Sequence, residues 1–146
     1  MEPKDRPKSQ IFSLKTPLLS QGQTNTPLAG TDLLKVRVKV YAEGGENALH
    51  AHFDEDHSFV ILQGQATFHD DQGNTQVVNK YEGILLPKGA YYYFQSTGDE
   101  NLVLLRVGAG RKPGDDFRLG KEGRPLTAEE NKRIAGVPIP GKFFGA

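Results

Sequence analysis

The sequence predicts an all-β fold, an antiparallel sandwich or barrel, from three observations. Apolar and polar residues alternate with period two along several short segments. Gly, Pro, Asn and Asp punctuate those segments at spacings of roughly ten residues. The length, 146 residues, is that of a single domain.

Residues 1–30 carry Pro, Gln, Ser and Thr around short apolar pieces at Ile11, Phe12, Leu14, Leu18 and Leu19, and read as an N-terminal arm with one edge strand. Strict alternation begins at Lys35. Val36, Val38 and Val40 form one face, and Lys35, Arg37 and Lys39 the other, expected to be a solvated, edge-protecting face. Ala48–His52, Ser58–Leu62 and Gln65–His69 follow as strands. The run from Asp70 to Asn74 is a hairpin turn, because Asp, Gly and Asn tolerate positive φ. His69, which borders it, is expected in solvent. Gln76–Val78, Gly83–Leu86, Tyr91–Gln95 and Leu102–Val107 complete a domain over residues 31–110. Gly, Pro and charge then dominate, so residues 111–146 read as a C-terminal tail that packs on the barrel or on a partner subunit. Within it Thr127-Ala-Glu-Glu130 has the form of a capping box and predicts one short helix reaching about Ile134. Phe143 and Phe144 are expected to pack rather than stay in water.

Eighteen basic residues balance eighteen acidic ones, so no global field recruits nucleic acid or an anionic membrane surface. A small-molecule substrate is the expected partner. The absence of cysteine excludes disulfides, thiolate zinc sites and cysteine nucleophiles, and leaves any metal to nitrogen and oxygen ligands. The charged amino terminus lacks the apolar stretch of a secretory signal and no run approaches membrane-spanning length, so the cytoplasm is the expected compartment.

His50, His52 and His57 are the candidate metal ligands. On a strand His50 and His52 share a face, flanking Ala51, which points away. His57 lies at an odd offset from His52, so the polar Phe53-Asp54-Glu55-Asp56 must turn and reset the parity. Phe59 and Ile61 share the parity of His57 and are expected to wall a substrate pocket, while Val60 and Leu62 make the other face of the same strand apolar. A strand apolar on both faces needs a second layer or a subunit behind it, and a homodimer is the resulting expectation. In Tyr91-Tyr92-Tyr93-Phe94, alternation pairs Tyr92 with Phe94, one pair lining the cavity and the other covering the outside. Arg106 shares parity with Leu102 and Leu104. It is a candidate to point inward and hold a substrate carboxylate through its donor fork, although a surface position is the favoured expectation.

Gly44, His50, His52, His57 and Gly64 keep the spacing glycine, five residues, His-x-His, four residues, ligand position, six residues, glycine. Pro87-Lys88-Gly89-Ala90-Tyr91-Tyr92 supplies a Pro-x-Gly-x-x-ligand core. In these motifs, which with their flanking strands span about residues 35–107, the chain resembles the cupin superfamily. The resemblance implies a single-domain jelly-roll β-barrel with a divalent metal inside. It departs from the family pattern at His57, which stands in place of the usual glutamate, and at Tyr92, which replaces the usual histidine of the second motif. Tyr81 and Ser96 replace a glycine and an asparagine.

Three neutral imidazoles would leave a divalent cation its full charge and make it a stronger Lewis acid. Tyr92, with an ordinary pKa near about 10, is a poor ligand while neutral and is read instead as a hydroxyl aimed at an open coordination position. Iron(II) is the preferred ion, with zinc or manganese as alternatives. Dioxygenase chemistry is favoured over isomerase or lyase chemistry, because three imidazoles carry no resident carboxylate base. A ligand-binding module and a metal-free structural barrel are the competing readings.

Overall fold

The computed structural model describes residues 6–110 and 118–146; residues 1–5 of the arm and 111–117 of the tail lie outside them. The described residues form eleven strands: β1 Thr16–Gln21, β2 Gln23–Gly30, β3 Leu34–Tyr41, β4 Gly45–His50, β5 Asp56–Gln63, β6 Gln65–His69, β7 Thr75–Asn79, β8 Gly83–Leu86, β9 Tyr92–Ser96, β10 Leu102–Ala109 and β11 Val137–Phe144. Two antiparallel sheets face each other, one of five strands in the order β2-β3-β10-β5-β8 and one of four in the order β4-β9-β6-β7. This is a jelly-roll barrel, as expected. No helix of the described residues is long and apolar enough to cross a membrane.

The inward faces obey the period-two pattern. Tyr41 of β3, Phe59 and Ile61 of β5, Phe68 of β6, Tyr92 and Phe94 of β9, and Leu102 and Leu104 of β10 are buried in one core between the sheets. Phe68 and Phe94 stack with ring centroids 5.0 Å apart. Gly64 lets the chain leave the five-stranded sheet at the end of β5 and enter the four-stranded sheet at β6. Its φ is +82°, and a Cβ there would come within 2.9 Å of the Asn101 carbonyl oxygen.

The arm contributes two strands where one was expected. Strand β2 extends the five-stranded sheet, and β1 pairs with the C-terminal β11 as a separate ribbon. A second buried cluster contains Leu19 of this ribbon with Val38, Val40 and Val103 of the five-stranded sheet, flanked by Leu18, Leu28, Leu62 and Phe144. The two-sided apolar character of β5 at Leu62 thus has its cover in the chain's own termini. Asn101 fixes the ribbon, since its side chain accepts from the Leu19 N–H at 2.7 Å and donates to the Leu19 carbonyl at 3.1 Å. Phe144 packs on this layer, whereas Phe143 stays partly exposed with the Lys15 ammonium over its ring.

The short helical element of the tail is a 3-10 turn at Lys121–Gly123. The capping box at Thr127 forms both reciprocal bonds, Thr127 N–H to Glu130 and Glu130 N–H to the Thr127 hydroxyl. It closes about one turn, with Asn131 N–H to Thr127 O and Lys132 N–H to Glu129 O. The next residues go to the sheet edge instead, where Gln23 donates to the Ile134 carbonyl and bridges Ala135.

Candidate metal centre

The parity reset between His52 and His57 is also a change of sheet. Strand β4 of the four-stranded sheet ends at His50, the chain bends at Phe53 and Asp54, and β5 starts in the facing sheet at Asp56. The bend is held by Gly89 N–H donating to the His52 carbonyl at 2.7 Å. It brings the rings of His52 and His57 to 4.0 Å across the barrel interior.

The potential ligand atoms of His52, Glu55 and His57 lie within 4.8 Å of one another, and all three residues are buried. Glu55 was read as part of a turn, but it precedes His57 by two and therefore shares its inward parity. That parity was available in the sequence. His50 stands beside this group, its ring 5.2 Å from that of His52. Its Nδ1–H donates to the Ala48 carbonyl at 2.7 Å, while its Nε2 is buried without a hydrogen bond and has Glu46 Oε1 3.6 Å away.

The short contacts at His57 test whether a cation fits. Nε2 lies 2.7 Å from Glu55 Oε1 and 2.9 Å from Arg106 Nη2. A proton on Nε2 suits Glu55 and opposes the arginine donor, whereas a lone pair there suits Arg106 and opposes the carboxylate. A cation held by Nε2 and Oε1 would use the lone pair and satisfy the carboxylate, and the Arg106 donor would then have to turn from the ring, with Glu55 Oε1 3.8 Å away. Gly108 lets β10 approach the group closely, since a Cβ added there would lie 3.2 Å from Glu55 Oε1 and 3.4 Å from His57 Nε2. The donors suit a borderline or hard divalent ion, two imidazoles and a carboxylate without sulfur.

Burial, followed by the neighbouring His57, His50 and Arg106, lowers the pKa of His52 to about 2. Burial and then Arg106 lower that of His57 to about 3. Both imidazoles are therefore neutral at pH 7, the state that binds a metal. His50 is shifted in the same direction, again chiefly by burial.

A second charged group lies deeper. Lys39 was expected in solvent, but the alternation of β3 turns it inward beside Tyr41, where it is 2% exposed and bonds Glu46 at 3.2 Å. Arg118, arriving from the tail, reaches the other oxygen of Glu46 at 2.9 Å. Burial alone would raise the Glu46 pKa, but the cations around it hold the carboxyl well below its usual range. Burial lowers Lys39 to about 8 against the opposing pull of Glu46.

Tyr92 points inward, 2% exposed, with its hydroxyl 3.4 Å from His52 Nε2. Arg106 is buried and turned into the site rather than lying on the surface, the position the sequence favoured. Phe59, Ile61 and Phe94 are fully buried in the core beneath it, Phe59 with its ring 6.3 Å from His57. Tyr91 and Tyr93 take the other face, where Tyr93 stacks on a half-buried His69 at 4.2 Å.

Residues 37–108 match the cupin domain family. No curated protein matches the chain. Among solved structures, a conserved protein with a double-stranded β-helix domain from Klebsiella pneumoniae is 21% identical with a TM-score of 0.61, over 73% of this chain and 95% of that one. Oxalate oxidase in complex with the substrate analogue glycolate is 17% identical with a TM-score of 0.54, over 65% of this chain and 54% of that one. A cupin-2 domain protein from Shewanella frigidimarina is 16% identical with a TM-score of 0.51, over 59% and 79%. These likenesses concern the fold. The family match over residues 37–108, on the barrel described above, shows that the chain belongs to the cupin superfamily.

Proposed function

We propose that this protein is a mononuclear divalent-metal enzyme acting on a small carboxylated substrate, with iron(II) as the ion and oxygenation as the reaction. The observation that carries this reading is the buried His52, Glu55 and His57 group with Arg106 at 2.9 Å from its edge. Two histidines and one carboxylate are the donor set of non-haem iron oxygenases. Zinc or manganese would suit the same donors. When bound, the ion supplies Lewis acidity and coordination positions for substrate.

The chain's own residues set the substrate's charge. Among the described residues Lys39 and Arg118 bond Glu46 and Arg106 stands 3.8 Å from Glu55, and a divalent ion adds positive charge to this group. An anionic substrate offsets it, and the planar fork of Arg106 suits a carboxylate. Tyr92 O–H is placed to donate to a substrate oxygen beside His52. The aromatic core beneath excludes water from this side. That oxalate oxidase, one of the similar folds, holds glycolate is in keeping with a small carboxylate.

Glu55 favours a second reading. It supplies the carboxylate base that a three-imidazole site would lack, so isomerase or lyase chemistry is the alternative. The test is oxygen uptake by iron(II)-loaded protein over a panel of 2-hydroxy acids, 2-oxo acids and dicarboxylates, with solvent deuterium exchange followed in parallel. Uptake that depends on a carboxylate supports oxygenation. Exchange without uptake moves the assignment to proton transfer, and neither response across the panel would overturn the enzyme reading.

A further inference from the structure

The space over His52, Glu55 and His57 is too small for a water molecule. A substrate therefore reaches the ligand atoms only when part of the wall moves. Two lining residues, Leu86 and Tyr92, are tied into strand ladders opposite His57 and His50. Two others, Pro87 and Ala90, belong to the β8–β9 connection and to no ladder. Residues 87–90 make a compact turn, in which Ala90 N–H donates to the Pro87 carbonyl at 3.0 Å and Gly89 takes a φ of +86°. Such a turn keeps its shape while swinging about its ends.

The turn is held by the barrel and by the tail. On the barrel, Gly89 N–H donates to the His52 carbonyl at 2.7 Å and Lys88 N–H to Asp56 Oδ1 at 2.8 Å. From the tail, Gly123 N–H donates to the Tyr91 hydroxyl at 3.0 Å, next to the turn. The same stretch of tail is fastened to the ligand strand, since Leu119 and Ala51 exchange backbone hydrogen bonds of 2.9 and 3.0 Å between His50 and His52. It thus ties the turn of the second motif to the strand of the first. We propose that the turn at residues 87–90 is a lid over the metal centre and that the tail, through Gly123 and Tyr91, is its latch. This goes beyond the chemistry proposed above and rests on that reading only for what the opened lid admits. Opening exchanges the bonds at Lys88, Gly89 and Gly123, two of them exposed, for bonds to water. The net loss per bond is small, so the turn opens locally while the barrel stays folded.

Tyr91→Phe tests the latch, because it removes the hydroxyl and keeps the ring against Phe53. Amide hydrogen exchange is followed residue by residue in metal-free protein. If turn and tail open as one unit, the variant should exchange faster at Lys88 and Gly89 as well as at Gly123, although the partners of the first two are untouched. The expected factor is about two to ten, that of one net hydrogen bond. Asp56→Ala, which frees Lys88 on the barrel side, should in turn quicken Gly123. Faster exchange confined to the amide whose own partner was removed would show that the tail rests beside the turn without holding it, and overturns the proposal. So do wild-type rates at all three amides. Control of the site itself is read from zinc-loaded protein mixed with excess chelator. Zinc transfer should quicken in Tyr91→Phe by the factor seen at Gly89, from an equal starting zinc content, and a wild-type transfer rate overturns the lid. Protein that takes up no zinc would contradict the metal reading instead, and the exchange rates then decide the latch by themselves.

Discussion

At the residue scale, the site depends on side chains whose roles follow from parity once the bend is located. His52 and His57 were legible as candidate ligands from the histidine spacing, and His50, read with them, lies outside the group whose donor atoms come within 4.8 Å. Glu55 was not, because Phe53-Asp54-Glu55-Asp56 was read wholly as turn, whereas only Phe53 and Asp54 bend. Lys39 and Glu46 escaped for another reason: a buried ion pair looks in sequence like two surface charges. Removing one partner of such a pair leaves the other charge stranded, so Glu46→Ala should cost about 3–5 kcal/mol in denaturant unfolding. A loss below about 1 kcal/mol would mean that water reaches Lys39 and Arg118. The neutral histidines set a pH dependence. The folded pKa values of His52 and His57, about 2 and 3, lie below the ordinary 6.5, so between these limits the unfolded chain binds more protons. Their contribution is fully present above pH 6.5 and is lost as pH falls toward 3. Metal-free protein should therefore lose stability in urea across that window, and the slope should flatten in a His52→Gln, His57→Gln variant.

At the element scale, the barrel strands were legible because each carries alternation on a half-buried face, and their ends fall at the expected glycines and prolines. The ribbon of β1 and β11 was not, since its two strands are more than a hundred residues apart and β11 contains Pro138, Pro140 and Gly141. Its pairing comes from the sheet it covers rather than from strand propensity. The helix after Thr127 stops at one turn for a related reason: its local cap forms, but Ile134 and Ala135 gain more by pairing with β2. Asn101 is the lock of this layer. Asn101→Ala should cost about 1–3 kcal/mol by stripping both backbone groups of Leu19. Hydrogen exchange should then quicken at Leu19 and along β11 while β5 and β10 keep their protection; uniform loss of protection would show that the ribbon and barrel unfold as one unit.

At the scale of the whole molecule, the termini cover only part of the outer face of the five-stranded sheet. Val36, Val60, Leu105 and Val107 lie half-buried on the remainder, with Leu85 65% exposed beside them. We propose that a second copy covers this face, so light scattering at micromolar concentration should give twice the mass of the chain. A monomer would leave the patch without its proposed cover, and Leu85→Glu should produce that monomer if the dimer forms there. The account as a whole stands on the ion inside the barrel. Metal content by mass spectrometry, after loading with iron(II), zinc or manganese and gel filtration, tests it most directly. Wild type should retain about one ion per chain, and Glu55→Ala and the His52→Ala, His57→Ala variant should each lose most of it while remaining folded. Retention by Glu55→Ala equal to wild type would remove Glu55 from the site, and equal retention or equal absence in all three proteins would contradict a metal centre built on these residues.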